Sequence, residues 1–284
     1  MRPLLKWAGG KSRLVPQILG LFPKKFSRYV EPFIGGGAVF LSLEKETSYL
    51  IADSNSDLIG LYEVVKSAPE KLMKALDRMP AKYSEKYYYE LRSQDPVSDI
   101  QRAARLVFLN KTGFNGLYRE NARGEFNVSF GKRVKCPELY DRENLLAVSR
   151  HLQKADIVCE DFLEVLNRCG KGDLVYCDPP YVPVSQTACF ESYTRDRFGA
   201  DRHRELSSAA SDAVKRGATV LISNSTAAIH FYPGWTIETV QASRAINCHG
   251  DKRGSVDEII AVLSPRIDLR SPRKNSIQRV TQSR

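Results

Sequence analysis

The sequence predicts an α/β fold carrying one long insertion, and three observations carry that prediction. Short apolar, strand-like runs alternate with segments of helical composition through most of the 284 residues. A glycine cluster follows the first run, as in a tight strand-to-helix turn. Between Asp57 and about Leu145 the alternation gives way to a longer, more helical stretch rich in Lys, Arg and Tyr, which reads as an insertion between the second and third strands.

The elements follow in order. Tyr29 to Phe33 reads as a buried strand that runs through Gly35-Gly36-Gly37 into a helical stretch from Ala38 to Leu43. Tyr49 to Asp53 is a second strand, ending in an acid. Inside the insertion, Glu125 to Phe130 alternates polar and apolar residues with the period of a half-buried strand, and Asn115-Gly116 ahead of it is a turn signal. Asp156 to Glu160 and Asp173 to Cys177 are two further strands. A helix over Arg204 to Lys215 precedes a strand at Ala218 to Ile222, and Trp235 to Val240 with Glu258 to Leu263 can close the sheet as an antiparallel pair.

Composition removes several classes. No run approaches the roughly 20 apolar residues that span a bilayer, and the N-terminus lacks the apolar core of a signal peptide. The expected setting is therefore the cytoplasm, with no membrane partner. Six cysteines without a Cys-x-x-Cys pair, and four scattered histidines, give no metal-ligand spacing, so no metal is expected. The net charge of +10 calls for a polyanionic partner. Residues 101–135 hold eight basic residues against two acidic ones, interleaved with aromatics, as a nucleic-acid surface requires. Residues 265–284 hold six against one and read as a basic, disordered tail.

Two motifs carry chemistry. In Glu31-Pro32-Phe33-Ile34-Gly35-Gly36-Gly37 the glycines allow close backbone approach to a ligand, and Asp53, ending the next strand, can bind two ribose hydroxyls. Read alone, the cluster is equally a flexible loop beside an unrelated helix cap. Asp178-Pro179-Pro180-Tyr181 directly follows an apolar strand, where ligands of open α/β sheets sit. Two prolines make the turn rigid and withhold N–H donors, so a carboxylate and a carbonyl can both face one amine while Tyr181 stacks on a planar ring. The bland alternative is an ordinary proline-rich turn capped by Asp.

From Leu5 to about Leu263 the chain resembles the Dam-type family of DNA adenine methyltransferases. The motifs are Leu5-Lys6-Trp7-Ala8-Gly9-Gly10-Lys11, Glu31 to Gly37, Ala52-Asp53-Ser54-Asn55, Gly113 to Arg119, Arg123 to Val128, Asp178 to Tyr181 and Leu221 to Asn224. Their order, with the glycine motif first, the recognition insertion second and Asp-Pro-Pro-Tyr third, is that of the alpha group of amino-methyltransferases. The resemblance implies a Rossmann-like sheet of seven mostly parallel strands, with residues 1–56 and 146–264 as the catalytic domain and 57–145 as a mainly helical target-recognition insertion.

It also implies S-adenosylmethionine as cofactor, double-stranded DNA as substrate, a bacterial or phage source, and GATC as target, in solitary use or beside a restriction endonuclease. By the same resemblance Trp7, Lys11, Phe33, Gly35, Gly37, Asp53, Asp161 and Phe162 line the cofactor pocket. Asp178, Pro179 and Tyr181 form the catalytic site. Lys6 and Arg123 fall where family members reach bases, with Asn121 a polar neighbour. Lys132, Arg133, Arg244, Lys252 and Arg253 suit phosphates, and Arg119 belongs with the DNA-binding set. Glu120 and Ser129 depart from the pattern, in which a large apolar or aromatic residue and a proline are common. Glutamine methylation in protein goes with Asn-Pro-Pro-Tyr and cytosine N4 methylation with a leading Ser, so the leading Asp disfavours both. RNA as substrate and a non-catalytic DNA-binding module stay open, the latter disfavoured by the presence of Asp53 and Asp178.

Overall fold

In chain order, helix α1 (Val15–Gly20) precedes strands β1 (Arg28–Glu31) and β2 (Ser48–Asp53). Helices α2 (Ser56–Ser67), α3 (Pro69–Leu76), α4 (Glu85–Ser93), α5 (Asp99–Thr112) and α6 (Arg142–Leu152) lead to β3 (Ala155–Cys159). Then come α7 (Phe162–Asn167), β4 (Asp173–Cys177), α8 (Ala200–Lys215), β5 (Thr219–Ser225), β6 (Thr236–Ser243) and β7 (Ser255–Leu263). The computed structural model describes residues 1–121, 123–183, 198–243 and 255–265. The seven strands give the mostly parallel α/β architecture that the resemblance implies.

The chain divides into two compact units, residues 11–33 with 160–284 and residues 1–10 with 34–159. In the first, β1, β4 and β5 pair in parallel, and β7 lies antiparallel between β5 and β6. β4 reads Asp-Leu-Val-Tyr-Cys and is buried at all five positions, as expected of a central strand covered on both faces. β1 and β4 are neighbours although the whole insertion separates them in sequence, so their carboxyl ends meet where one long connection leaves and returns. In the second unit β2 and β3 pair in parallel from Tyr49–Ala155 to Asp53–Cys159. α2 opens with Asn55, whose side chain accepts from the Leu58 N–H and supplies one of the acceptors that a helix start lacks. Helices α2 to α6 belong to this unit.

Two local expectations change. The helical stretch at Ala38 to Leu43 shrinks to a single 3-10 turn, Phe40–Ser42. Gly37 starts it at φ +70°, and Leu43 is already extended, so no α-helical ladder propagates. Glu125 to Phe130 keeps its alternation, with Phe126, Val128 and Phe130 buried, yet it pairs only through isolated bridges, Glu120 with Phe126 and Gly113 with Phe130. Its apolar face is packed, but among the described residues its backbone has no partner strand long enough for a ladder.

Candidate functional site

In the unit holding β4, Asp178 begins the turn beyond the strand's carboxyl end. Its Oδ1 lies 2.9 Å from Lys11 Nζ, with side-chain exposures of 19% and 6% for the two. Oδ1 is buried without a well-directed hydrogen bond, so the contact is an ion pair rather than an aligned donor–acceptor pair. Lys11 is set by the chain turning into α1, where its carbonyl accepts from Leu14 and Val15 N–H. Its ammonium also lies 4.6 Å from the centre of the Tyr181 ring. Burial pushes the Asp178 carboxyl above the usual carboxylate range; Lys11 opposes this, Glu258 adds to it and Tyr181 opposes it. Tyr181 donates through its hydroxyl to Glu258 Oε2 at 2.7 Å, and burial holds that phenol well above its ordinary pKa, with the Asp178 and Glu258 charges adding.

The rest of the turn is held from β5. Val182 N–H donates to Asn224 Oδ1 at 3.1 Å, and the Ser225 hydroxyl donates to the Val182 carbonyl at 2.6 Å. Below it lie two buried polar pairs, Tyr29 Oη to Glu31 Oε2 and Tyr176 Oη with Ser223 Oγ, each at 2.7 Å. Further along this unit Phe33, Phe162 and Phe198 form an aromatic trio with ring centres 5.3–5.6 Å apart. Asp161 caps α7 by accepting from Leu163 N–H at 3.0 Å, and its other oxygen accepts from Arg202. The Arg202 guanidinium lies 4.4 Å from the centre of the Phe162 ring, so a cation, a carboxylate and aromatic faces share one surface.

In the other unit the glycine loop is tied to the end of β2. Gly35 N–H donates to Asp53 Oδ2 at 3.1 Å and Asn55 N–H donates to Oδ1 at 3.0 Å. Burial raises the Asp53 carboxyl, and backbone N–H groups of Asn55, Gly35 and Ser54 oppose that rise. Glycine is required here: Gly35 has φ +45°, and a Cβ on it would lie 2.9 Å from Trp7 Cδ1. Trp7 stacks in turn on Tyr118, ring centres 5.0 Å apart, so one indole touches both the glycine loop and the loop that follows α5.

The loop that follows α5 is pinned by Asn110, which is fully buried. Asn110 accepts from Lys6 N–H at 2.9 Å and donates to the Lys6 and Gly116 carbonyls at 2.7 and 3.0 Å. Lys6 packs its stem where a Cβ on Gly116 would stand. Arg119 is exposed, its guanidinium oriented by Asn127 Oδ1 at 2.8 Å. The Asn121 side chain accepts from Arg123 and Glu125 N–H and donates to Glu125, which shapes the tip and leaves Arg123 exposed. Lys132 sits at φ +49° on an exposed turn. Glu120 accepts from Tyr118 Oη at 2.7 Å, whereas the large exposed apolar side chain of this loop is Phe114, at 53% exposure. Arg244, Lys252, Arg253 and the tail beyond 265 lie outside the described residues. Among the described residues no group of three or more His, Cys, Asp or Glu side chains is placed to hold a metal.

The structure thus gathers Lys11, Asp178 and Tyr181 in one unit and Trp7, Gly35 and Asp53 in the other. It adds Glu258, Asn224, Ser225, Arg202, Phe198, Asn110 and Phe114, which sequence reasoning did not assign. The buried polar run Ser223-Asn224-Ser225, ending an otherwise mostly apolar strand, is the signal that could have flagged two of them, Asn224 and Ser225.

A family model described as D12 class N6 adenine-specific DNA methyltransferase matches residues 7–246. The chain is 37% identical over 270 residues to the Type II methyltransferase M1.LlaDCHI of Lactococcus lactis subsp. cremoris, covering 92% of this chain and 94% of that protein. It is 38% identical over 276 residues to the Type II methyltransferase M.MjaIII of Methanocaldococcus jannaschii, covering 89% and 95%. It is 38% identical over 273 residues to the DNA adenine methylase of Escherichia coli (strain K12), covering 93% and 96%.

Proposed function

The chain belongs to the D12 class of N6 adenine-specific DNA methyltransferases, and from that premise we propose that it methylates a flipped-out adenine in GATC of double-stranded DNA, with S-adenosylmethionine as donor. The observation that carries the chemistry is the Asp178 turn: a carboxylate with a buried, imperfectly satisfied oxygen at the carboxyl end of β4, beside an anchored tyrosine ring. The cofactor fits the residues present. In one unit a glycine loop with no room for a Cβ and an acid ending β2 match in kind the backbone and ribose contacts it needs; in the other, taken by itself, an aromatic trio bordered by the Asp161 carboxylate matches in kind an adenine contact. Trp7, Lys11, Phe33, Gly35, Gly37, Asp53, Asp161 and Phe162 are the residues assigned to hold it.

When bound, S-adenosylmethionine supplies an electrophilic sulfonium methyl group. The protein's task is to make a poor nucleophile competent. The adenine N6 lone pair is delocalised into the ring. Asp178 and the Pro179 carbonyl would accept hydrogen bonds from its two N–H groups, favour a tetrahedral nitrogen and expose the lone pair; the new C–N bond would form as the methyl–sulfur bond breaks and the neutral thioether departs, and the proton facing Asp178 would pass to that carboxylate and on to solvent. This is positioning and electrostatic stabilisation rather than covalent catalysis. The base must leave the duplex at a cost of a few kcal/mol, and stacking on Tyr181 recovers on the order of 1–3 kcal/mol. The exposed Phe114 is the apolar side chain available to fill the stack, in place of Glu120.

For sequence reading, Arg123 is assigned a guanine edge and Lys6 a second base contact, with Asn121 shaping the loop. Arg119 is oriented for a planar contact by Asn127, and Lys132, Arg244 and Arg253 are assigned phosphates. A cytoplasmic, DNA-associated protein, working alone or beside a restriction endonuclease, is the setting these roles imply; no helix of the described residues is long and apolar enough to cross a membrane. The test is transfer of labelled methyl groups to three duplexes: one with GATC, one with it scrambled, and one already N6-methylated on both strands. Label on the first alone is expected. Equal label on the first two discards GATC, and label on none, with the cofactor bound, discards duplex DNA as substrate.

A further inference from the structure

The antiparallel register of β5 and β7 sets Ser225 opposite Glu258. The carboxyl end of β5 and the first half of β7 therefore lie side by side next to the Asp178 turn, and three of their side chains grip it. Glu258 accepts from the Tyr181 hydroxyl at 2.7 Å, Asn224 accepts from the Val182 N–H at 3.1 Å, and Ser225 donates to the Val182 carbonyl at 2.6 Å. Asn224 is itself fixed from behind: its Oδ1 also accepts from Ser225 N–H at 2.8 Å and its amide donates to Tyr232 Oη at 3.3 Å. The prolines stiffen the backbone from Asp178 to Tyr181 but leave the tyrosine ring free to swing about its own two torsions. The bond from its hydroxyl to Glu258 restrains that freedom, together with its contact with Asp178 and the Lys11 ammonium beside its ring.

We propose that Glu258 is a positioning residue for methyl transfer, anchoring the Tyr181 ring at the angle that receives the flipped adenine beside Asp178, with Asn224 and Ser225 completing a clamp on the catalytic turn. The proposal rests on the stacking role given to Tyr181 above. A glutamine would accept the same hydrogen bond without charge, so the two functions of the side chain, anchor and charge, are separable. The charge acts on Asp178, which is faced by Lys11 ahead of α1, by Glu258 from β7, by Tyr181 in the turn, and by Tyr176 and Cys177 of β4. Of these groups Glu258 is the one whose negative charge raises the Asp178 carboxyl.

The experiment uses the full chain as wild type, Glu258→Gln, Glu258→Ala, Tyr181→Phe and the Glu258→Ala/Tyr181→Phe double variant. It measures kcat and KM for a cognate duplex across pH, with fluorescence of 2-aminopurine at the target position reporting the extruded base. Glu258→Ala is expected to lose roughly 10- to 100-fold in kcat, the worth of a hydrogen bond to a charged group, with a weakened extrusion signal and a KM for the cofactor within about twofold. Tyr181→Phe is expected to match it, and the double variant to be no worse than either single one, because both remove one interaction. Glu258→Gln is expected to recover most of the loss and to move the acid limb of the pH profile to lower pH.

A Glu258→Ala enzyme equal to wild type, additive losses in the double variant, or a Gln variant as poor as the Ala variant each overturns the clamp. If Glu258→Ala does not fold, the Gln profile and Tyr181→Phe decide. A wild type that transfers no methyl group overturns the functional reading, and the clamp with it; a wild type that does, beside an unaffected Glu258→Ala, overturns the clamp alone.

Discussion

At the scale of the residue, Asp178 holds its position at an electrostatic cost. Burial raises its carboxyl and Lys11 only partly opposes that, yet the proposed role needs the ionised, accepting form. Activity is therefore expected to fall with decreasing pH at a higher pH than for an ordinary carboxylate, because protonation removes an acceptor facing N6. Asp178→Ala is expected to abolish turnover while cofactor affinity, read by calorimetry, stays close to wild type; lost affinity with residual turnover would remove Asp178 from the reaction. Gly37 gives a second test. It sits at φ +70°, and a Cβ on it would lie 2.8 Å from Tyr62 Oη. Gly37→Ala is expected to cost about 1–3 kcal/mol in denaturant unfolding, because both the backbone conformation and the contact are strained. In the recognition loop, Arg123→Ala is expected to relax discrimination at guanine by about 1–3 kcal/mol. Lys132→Ala should instead weaken all duplexes alike and reduce the salt slope by about one.

At the scale of the element, helix α6 shows how packing sets pH response. His151, in its last turn, lies against Phe40 and Tyr49, with ring centres 4.6 and 5.1 Å away, and Nε2 is 3.3 Å from the Phe40 carbonyl. Burial lowers its pKa from the usual 6.5, the Phe40 carbonyl opposing. A base whose folded pKa is depressed binds fewer protons folded than unfolded, so stability falls as pH drops below about 6.5 and goes on falling until the folded pKa is passed. The melting temperature is expected to decline over that window, and His151→Phe, which keeps the ring and loses the proton, to flatten the decline. An unchanged slope in the variant would assign the acid response elsewhere. The 3-10 turn at Phe40–Ser42, which supplies Phe40, is shorter than the helical stretch its sequence suggests; the apolar run reports burial, not the length of the ladder.

At the scale of the whole molecule, a net charge of +10 on a DNA-modifying enzyme predicts that the logarithm of the binding constant falls linearly with the logarithm of salt concentration. Removal of residues 266–284, with their six basic side chains, is expected to lower affinity for cognate and scrambled duplexes equally and to leave site choice unchanged. Loss of discrimination on truncation would give the tail a part in reading sequence. By itself the sequence determined the alternation of strands and helices, the apolar identity of β4, the Asp-Pro-Pro-Tyr turn after it, and the glycines and Asp53 at strand ends, because each rests on a local pattern of hydrophobicity or backbone freedom. Only the tertiary structure decided that Lys11 meets Asp178, that Arg202 lies on Phe162 and Asp161, and that Glu258, Asn224 and Ser225 hold the turn that follows β4. Those partners lie far apart in sequence or on strands whose adjacency depends on register, and no local pattern specifies which distant polar residue will stand opposite another until the sheet has formed.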